Sequence, residues 1–274
     1  MGAQSLRSKG LTQYRRFRGF CGKHDNELFE PIDNFPLDPT PQQITLYAYR
    51  SLCREVFVKE NAVQLFRDLT SHSSSNQANQ AIFNAVLQGS TLALENLNIH
   101  KAKYEELLKS NSFDTMKSVL FHCQQKPSIT FSGLLFPDFD FLGNPLQDLS
   151  DKDRKRDLVA FCFAPMRDGW GFLFAWHDDS SESCVPLMRS LATQIYDGDS
   201  LGDFLFRFVI SNCENLALDS SWWESLSETQ RADVEQLAKR GTNIFSPPSS
   251  NYLARGVDGL SKWEFDYVIS NFEC

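Results

Sequence analysis

The stretch LVAFCFAPMRDGWGFLFAWH, residues 158–177, decides the fold class. It predicts a β-hairpin with strands at 158–164 and 170–177 around a turn that contains Pro165 and Gly169. In the second strand the aromatic residues occupy every other position, so they share one face of that strand. An apolar face of this size needs a cover, and we expect helices rather than a bound ligand to supply it.

Helical patterns lie on both sides of this hairpin. Towards the N-terminus, Thr40, Pro41 and Gln43 match a capping box that opens a long helix. Towards the C-terminus, Ser227 and Gln230 match another. The expected elements are helices within 41–125, the last of them at 112–125, a strand near 128–135, the hairpin strands, helices within 182–240, and an irregular tail. This order predicts a mainly helical α+β protein whose small central antiparallel sheet packs between an N-terminal and a C-terminal helical set.

The first 40 residues differ in composition from the rest of the chain. Residues 1–18 hold five basic side chains and no acidic one, and the prolines of 31–41 predict an extended linker. We therefore divide the chain into an N-terminal segment, residues 1–40, and a single α+β domain, residues 41–274. The basic run could contact phosphate groups of a nucleic acid, although a solvated basic surface is the more common reason for such a run.

Overall composition narrows the function classes. The chain has 42% hydrophobic and 23% charged residues, which is typical of a globular protein. A net charge of −8 argues against a general nucleic-acid binder. The seven cysteines are odd in number and irregularly spaced, which indicates reduced thiols and a cytoplasmic location. No stretch of 18 apolar residues occurs, so we expect no membrane association.

A cluster of metal-binding and acid–base side chains follows the basic run. Cys21 and His24 have the spacing of half a tetrahedral zinc site, and His122 is among the residues that could complete it by type. A second interpretation is metal-free, with His24 beside Asp25 as a catalytic general base. In the third, this segment only anchors the N-terminus, through Phe20, Leu28 and Phe29.

Two further groups of polar side chains could hold a ligand. Arg50, Glu55 and Lys59 lie close together on the first predicted helix and could bind a phosphate or carboxylate, or could form surface ion pairs. The triplet His177-Asp178-Asp179 ends the aromatic strand and could bind Mg²⁺ through oxygen. Strand ends often carry such polar residues for structural reasons alone.

The segment Arg18-Gly-Phe-Cys-Gly-Lys-His-Asp-Asn-Glu-Leu-Phe29 resembles a family of uncharacterised bacterial proteins that share an FCxxHD box. The step Ala48-Tyr49-Arg50 and the Trp-Trp-x-x-Leu pattern that begins at Trp222 are also similar. In that family an upstream CxxC and a Ser-His pair precede the box, which resembles an HNH or treble-clef zinc module. The resemblance implies that Cys21 and His24 are zinc ligands, while residues 1–18 contain no counterpart of the upstream pair.

These observations leave two functions open. The first is a non-catalytic or regulatory interaction protein with a protein partner, acting in phage defence or a stress response, because no complete catalytic motif is present. The second is a metal-dependent hydrolase or nuclease with Cys21, His24 and Asp25 in or beside its site and with zinc as its cofactor. The basic N-terminal run, which suits phosphate contacts, favours this second function.

Overall fold

A computed structural model describes residues 22–72, 77–196, 200–239, 249–254 and 256–272. The described helices are α1 (Gly22–Asp33), α2 (Pro41–His72), α3 (Gln77–Ser110), α4 (Ser181–Tyr196), α5 (Leu201–Asn212), α6 (Ser220–Ser225) and α7 (Glu228–Ala238). The described strands are β1 (Met116–Cys123), β2 (Ile129–Leu135), β3 (Val159–Pro165), β4 (Trp170–His177), β5 (Leu216–Leu218) and β6 (Tyr267–Ser270).

One antiparallel sheet joins these six strands in the order β5-β2-β3-β4-β1-β6. The predicted hairpin is confirmed as β3 and β4, in which Phe161 lies opposite Phe174 and Phe163 opposite Phe172. The pairing of β1 with β6 joins distant parts of the chain, because more than a hundred residues separate these two strands. β5 and β6 therefore form the two edges of the sheet.

Helices cover both faces of the sheet, and the two faces differ in the size of their side chains. The first face is aromatic, with Phe161, Phe172, Phe174 and Trp176 packed against the helices of the C-terminal half. The opposite face carries mostly small and aliphatic side chains, which pack against α1, α2 and α3. Alternation along each strand produces this division, and the expected α+β sandwich between two helical sets is confirmed.

The helices α2 and α3 form a long antiparallel hairpin. The first half of α2, up to Val56, packs on the small-residue face of the sheet, as Ser51 Oγ shows by its 2.6 Å hydrogen bond to Ser132 Oγ in β2. Beyond Val56 the two helices lie largely against each other. Gly89 and Ser90 do not interrupt α3, which runs unbroken through both residues. None of the described helices combines the length and the apolar content needed to span a membrane.

Two predictions about the N-terminal half are wrong. The helix predicted at 112–125 is instead the strand β1, whose side chains are buried on both faces between β4 and β6. The linker predicted to be extended from residue 31 begins three residues later, because α1 continues to Asp33 with Pro31 inside it. Buried Phe29 and Ile32 hold that helix on the core, and this packing outweighs the local preference of proline.

The predicted capping boxes are formed to different degrees. Ser227 and Gln230 form the complete box at the start of α7. At the start of α2, Thr40 Oγ1 accepts a hydrogen bond from the Gln43 N–H at 3.3 Å. The Gln43 side chain does not return to Thr40. It is buried, accepts from the Asp38 N–H at 2.7 Å and donates to the Pro31 carbonyl at 2.7 Å, so it fixes the connection between α1 and α2.

Candidate functional site

No described strand pairs with the outer side of β6, and this edge exposes large apolar side chains on both sides of the sheet. Tyr267, Val268 and Ile269 are 43%, 57% and 42% exposed. Natural sheet edges usually carry lysine, proline or a covering element that prevents pairing with another chain. The strand β6 contains neither lysine nor proline. An edge of this kind is suited to accept a further strand.

The inner side of β6 is held by a buried histidine. The His122 side chain on β1 is 2% exposed, and its ring stacks on Tyr267 with centroids 4.4 Å apart and planes 7° apart. His122 Nδ1 lies 2.9 Å from Asp266 Oδ1. Because an ionised carboxylate can only accept, Nδ1 carries the proton. This hydrogen bond lowers the pKa of the Asp266 carboxyl below its ordinary value.

The other ring nitrogen of His122 is enclosed by the turn between β3 and β4. Nε2 lies 3.5 Å from Asp168 Oδ1, which is too long for a hydrogen bond, and it has no partner among the described residues. A Cβ atom at Gly169 would lie 2.7 Å from this nitrogen and 2.6 Å from the Cys123 carbonyl oxygen. Only glycine fits at this position, so the turn closes directly over the imidazole.

The far end of β6 is fastened by Asn271. Its N–H donates to the Ser118 carbonyl at 3.3 Å, and its side chain accepts from the Ser118 N–H at 2.8 Å and donates to the Met116 carbonyl at 2.9 Å. Hydrogen-bonding groups alternate in direction along an antiparallel strand. With Asn271 directed towards β1 and the pairing continuous from Val119–Ser270 to His122–Tyr267, Val268 and Ser270 turn their N–H and C=O groups away from β1. Asp266 lies before the first paired residue, outside this alternation, and its N–H donates to the His122 carbonyl at 3.1 Å.

The predicted zinc and acid–base residues lie at the limit of the described chain. Cys21 lies outside the described residues. His24 belongs to the first turn of α1, and its side chain is also outside the described part. Asp25 is half-buried on α1. Metal binding by Cys21 and His24, and the catalytic roles of His24 and Asp25, therefore stay predictions.

The predicted ligand group on α2 is divided between two sets of contacts. Arg50 makes two hydrogen bonds to the Asp33 carboxylate, at 2.6 and 2.7 Å, and its guanidinium lies 4.1 Å from the centre of the Phe29 ring. Glu55 instead pairs with Arg54 and lies near Lys59, and burial raises the pKa of its carboxyl. The contacts of Arg50 join α1 to α2, which gives this residue a structural role.

The aspartate pair that follows β4 is also engaged by protein groups. Asp179 pairs with Lys103 and, at 2.9 Å, with Lys155, and it lies 3.0 Å from His177 Nδ1. Within the described ranges, no group of three or more His, Cys, Asp or Glu side chains is arranged to hold a metal ion. These contacts fasten α3 and the loop before β3 to the end of β4.

The described cysteines have the environment of inert core thiols. Burial raises the pKa of Cys53 to about 11 and the pKa values of Cys162 and Cys213 to about 12, so these thiols remain protonated at neutral pH. His100 is buried as well, with Nε2 2.7 Å from the Arg156 carbonyl oxygen, and burial lowers its pKa to about 4. These cysteines therefore provide no activated nucleophile, and His100 provides no activated base.

The β6 edge could not be predicted from the sequence, which predicts only an irregular tail after the last helix. The alternation in Tyr-Val-Ile-Ser is too brief to predict a strand together with its partner. The chain also gave no match when compared with protein-family models, with curated proteins and with solved structures.

Proposed function

We propose that this chain is a non-catalytic interaction protein of the bacterial cytoplasm that binds an extended segment of a partner protein at the β6 edge. The observation that carries the proposal is the run Tyr267, Val268 and Ile269, exposed by 43%, 57% and 42% on the last strand of the sheet. Strand addition would supply main-chain hydrogen bonds for affinity, and the apolar side chains would supply selectivity.

The contacts around β6 support this proposal. His122 and Asn271 hold the strand from its inner side, which presents its outer side in a fixed register. A preorganised edge loses little conformational entropy when a further strand joins it. Phage defence or a stress response remains the proposed cellular setting.

Two proline variants test the proposed binding edge. Val268→Pro removes an N–H that is turned away from β1, so it should block strand addition while the pairing of β6 with β1 remains. Ile269→Pro removes an N–H that is turned towards β1 and should weaken β6 itself. Peptides selected from a random octapeptide display library on the wild-type chain are the probes.

The proposal predicts that the selected peptides have alternating apolar residues and bind Val268→Pro at least about tenfold more weakly. Val268→Thr, which keeps the N–H and the β-branched shape, should bind them within about threefold of wild type. Equal binding of the selected peptides to wild type and Val268→Pro would refute the proposal, as would the selection of no peptide.

A further inference from the structure

The distal part of the α2–α3 hairpin, residues 57–72 and 77–93, forms an arm that is separate from the core. Neither range contributes a residue to either of the two hydrophobic clusters on the sheet. The two helices of the arm hold each other along a seam, where the rings of Phe66 and Phe83 lie 6.2 Å apart and Val63 is 3% exposed. Within the described ranges, the arm therefore packs mainly through its own two helices.

A second set of apolar side chains lies beside this seam. Both helices place these side chains at four-three-four spacing, which keeps them on one side of a helix. Leu65 is 54% exposed, and a Cβ atom added at Gly89 would have nothing within 4 Å, so this surface is open. We call it the arm face, and it consists of Val58, Ala62, Leu65 and Leu69 on α2 and Ala78, Ile82, Ala85 and Gly89 on α3.

Helical geometry puts both halves of the arm face on the same side of the hairpin. On α2, Leu65 precedes the seam residue Phe66 by one residue, about 100° of rotation. On α3, Ile82 precedes the seam residue Phe83 in the same way. In each helix, the arm face is reached from the seam by the same rotation about the helix axis, towards the preceding residue. Because the two helices run antiparallel, this rotation ends on the same side of the hairpin in both. The arm thus has one apolar side in addition to its seam.

The α3 part of this arm has no charged side chain, and on α2 the charged side chains lie away from the arm face or, for Asp68, at its border. Residues 77–94 contain no charged side chain, whereas the composition of the chain would give about four in 18 residues. On α2, Glu60 and Arg67 are exposed and lie at helical positions away from the arm face. Depletion of charge is characteristic of the centre of a protein interface.

We propose that the arm face is a self-association surface on which the arm of a second copy packs, so that two hairpins form a four-helix bundle. The net charge of −8 makes contact between two copies unfavourable over most of the surface, whereas an uncharged face can meet its own copy without like-charge repulsion. Sixteen helical residues give a face about 24 Å long. Two such faces bury on the order of 1,000 Å², which is the lower limit for a specific interface and fits a weak dimer.

Sedimentation equilibrium of the full chain tests this proposal with matched variants. The wild-type chain should reach twice its mass of 31.3 kDa. Ala85→Glu places a carboxylate in the arm face, and Asn84→Glu places the same charge on the neighbouring residue, outside that face. Ala85→Glu should raise the dimer dissociation constant at least about tenfold because its carboxylate would be buried without a partner. Leu65→Glu should act likewise, and Asn84→Glu should stay within about threefold of wild type.

Several results would overturn the inference. A wild-type chain that stays monomeric at its highest soluble concentration would contradict it. Equal dimer dissociation constants for Asn84→Glu and Ala85→Glu would contradict it as well. If Val268→Pro dissociated the dimer and Ala85→Glu did not, the copies would associate at β6 and not at the arm face. Ala85 and Leu65 are both exposed in the single chain, and circular dichroism checks that each variant keeps its helical content. Since the arm face and β6 are separate surfaces, a monomeric wild type that binds the selected peptides would contradict this inference alone.

Discussion

His122, on the buried strand β1, contacts the edge strand β6 through the ring of Tyr267 and the carboxyl of Asp266. We predict that NMR titration of the Asp266 carboxyl gives a pKa below the ordinary value, because His122 donates a hydrogen bond to it. His122→Phe keeps the ring against Tyr267, removes that donor and should return the pKa of Asp266 towards its ordinary value. Asp219, whose pKa is lowered mainly by Ser221, is the control and should not change.

The same contact makes folding stability depend on pH in a defined direction. The pKa of Asp266 is lower in the folded state than in the unfolded state. Its contribution to stability is therefore present above the unfolded-state pKa and is lost as the pH falls through the folded-state pKa. Urea titrations in the acidic range should show a smaller loss of stability in His122→Phe than in wild type. An identical pH dependence in both chains would contradict this account of the contact.

A second prediction at the residue scale compares two glycines. Gly169→Ala would force a Cβ against the Cys123 carbonyl at 2.6 Å, and we expect a loss of roughly 1–3 kcal/mol in the free energy of unfolding. Gly89→Ala meets nothing within 4 Å inside α3 and should gain about 0.5–1 kcal/mol from helix propensity. Because Gly89 belongs to the arm face, denaturant unfolding is measured for both variants at a chain concentration below that of self-association. A neutral Gly169→Ala would show that the turn does not close over His122.

At the scale of elements, one buried glutamine fixes how α1 meets α2. Gln43→Ala would leave the Asp38 N–H and the Pro31 carbonyl without their side-chain partner, and we expect a loss of about 3 kcal/mol in the free energy of unfolding. Gln42 precedes it on the exposed side of the helix, so Gln42→Ala should change stability by less than about 0.5 kcal/mol. Similar losses in both variants, measured by urea unfolding, would contradict this role.

The elements differ in how far local sequence determines them. Strand β4 could be predicted because its aromatic side chains alternate strictly and one face carries all of them. Strand β1 could not, because Met116–Cys123 is buried on both faces and an apolar run of that kind fits a helix as well as a strand. Helix α1 contains Pro31 and persists through the contacts of Phe29, which local sequence does not reveal.

At the scale of the whole molecule, the sandwich could be predicted but the proposed binding edge could not. Runs of helix, strand and helix indicate a sheet with helices on both faces, and the two hydrophobic clusters agree. Which strand lies at an edge depends on topology. His122 and Tyr267 become neighbours only because β6 returns to pair with β1. The candidate site therefore follows from long-range pairing, which no local motif encodes.

Residue-resolved hydrogen exchange tests the strand-addition claim most directly. The probe is a peptide selected on the wild-type chain, and exchange of the backbone N–H groups is compared with and without it. We predict added protection at Val268 and Ser270, whose N–H groups are turned away from β1, and little change at Tyr267 and Ile269, whose N–H groups are turned towards it. Protection confined to the arm or to α1, with exchange at Val268 and Ser270 unchanged, would contradict the claim that β6 is the binding edge.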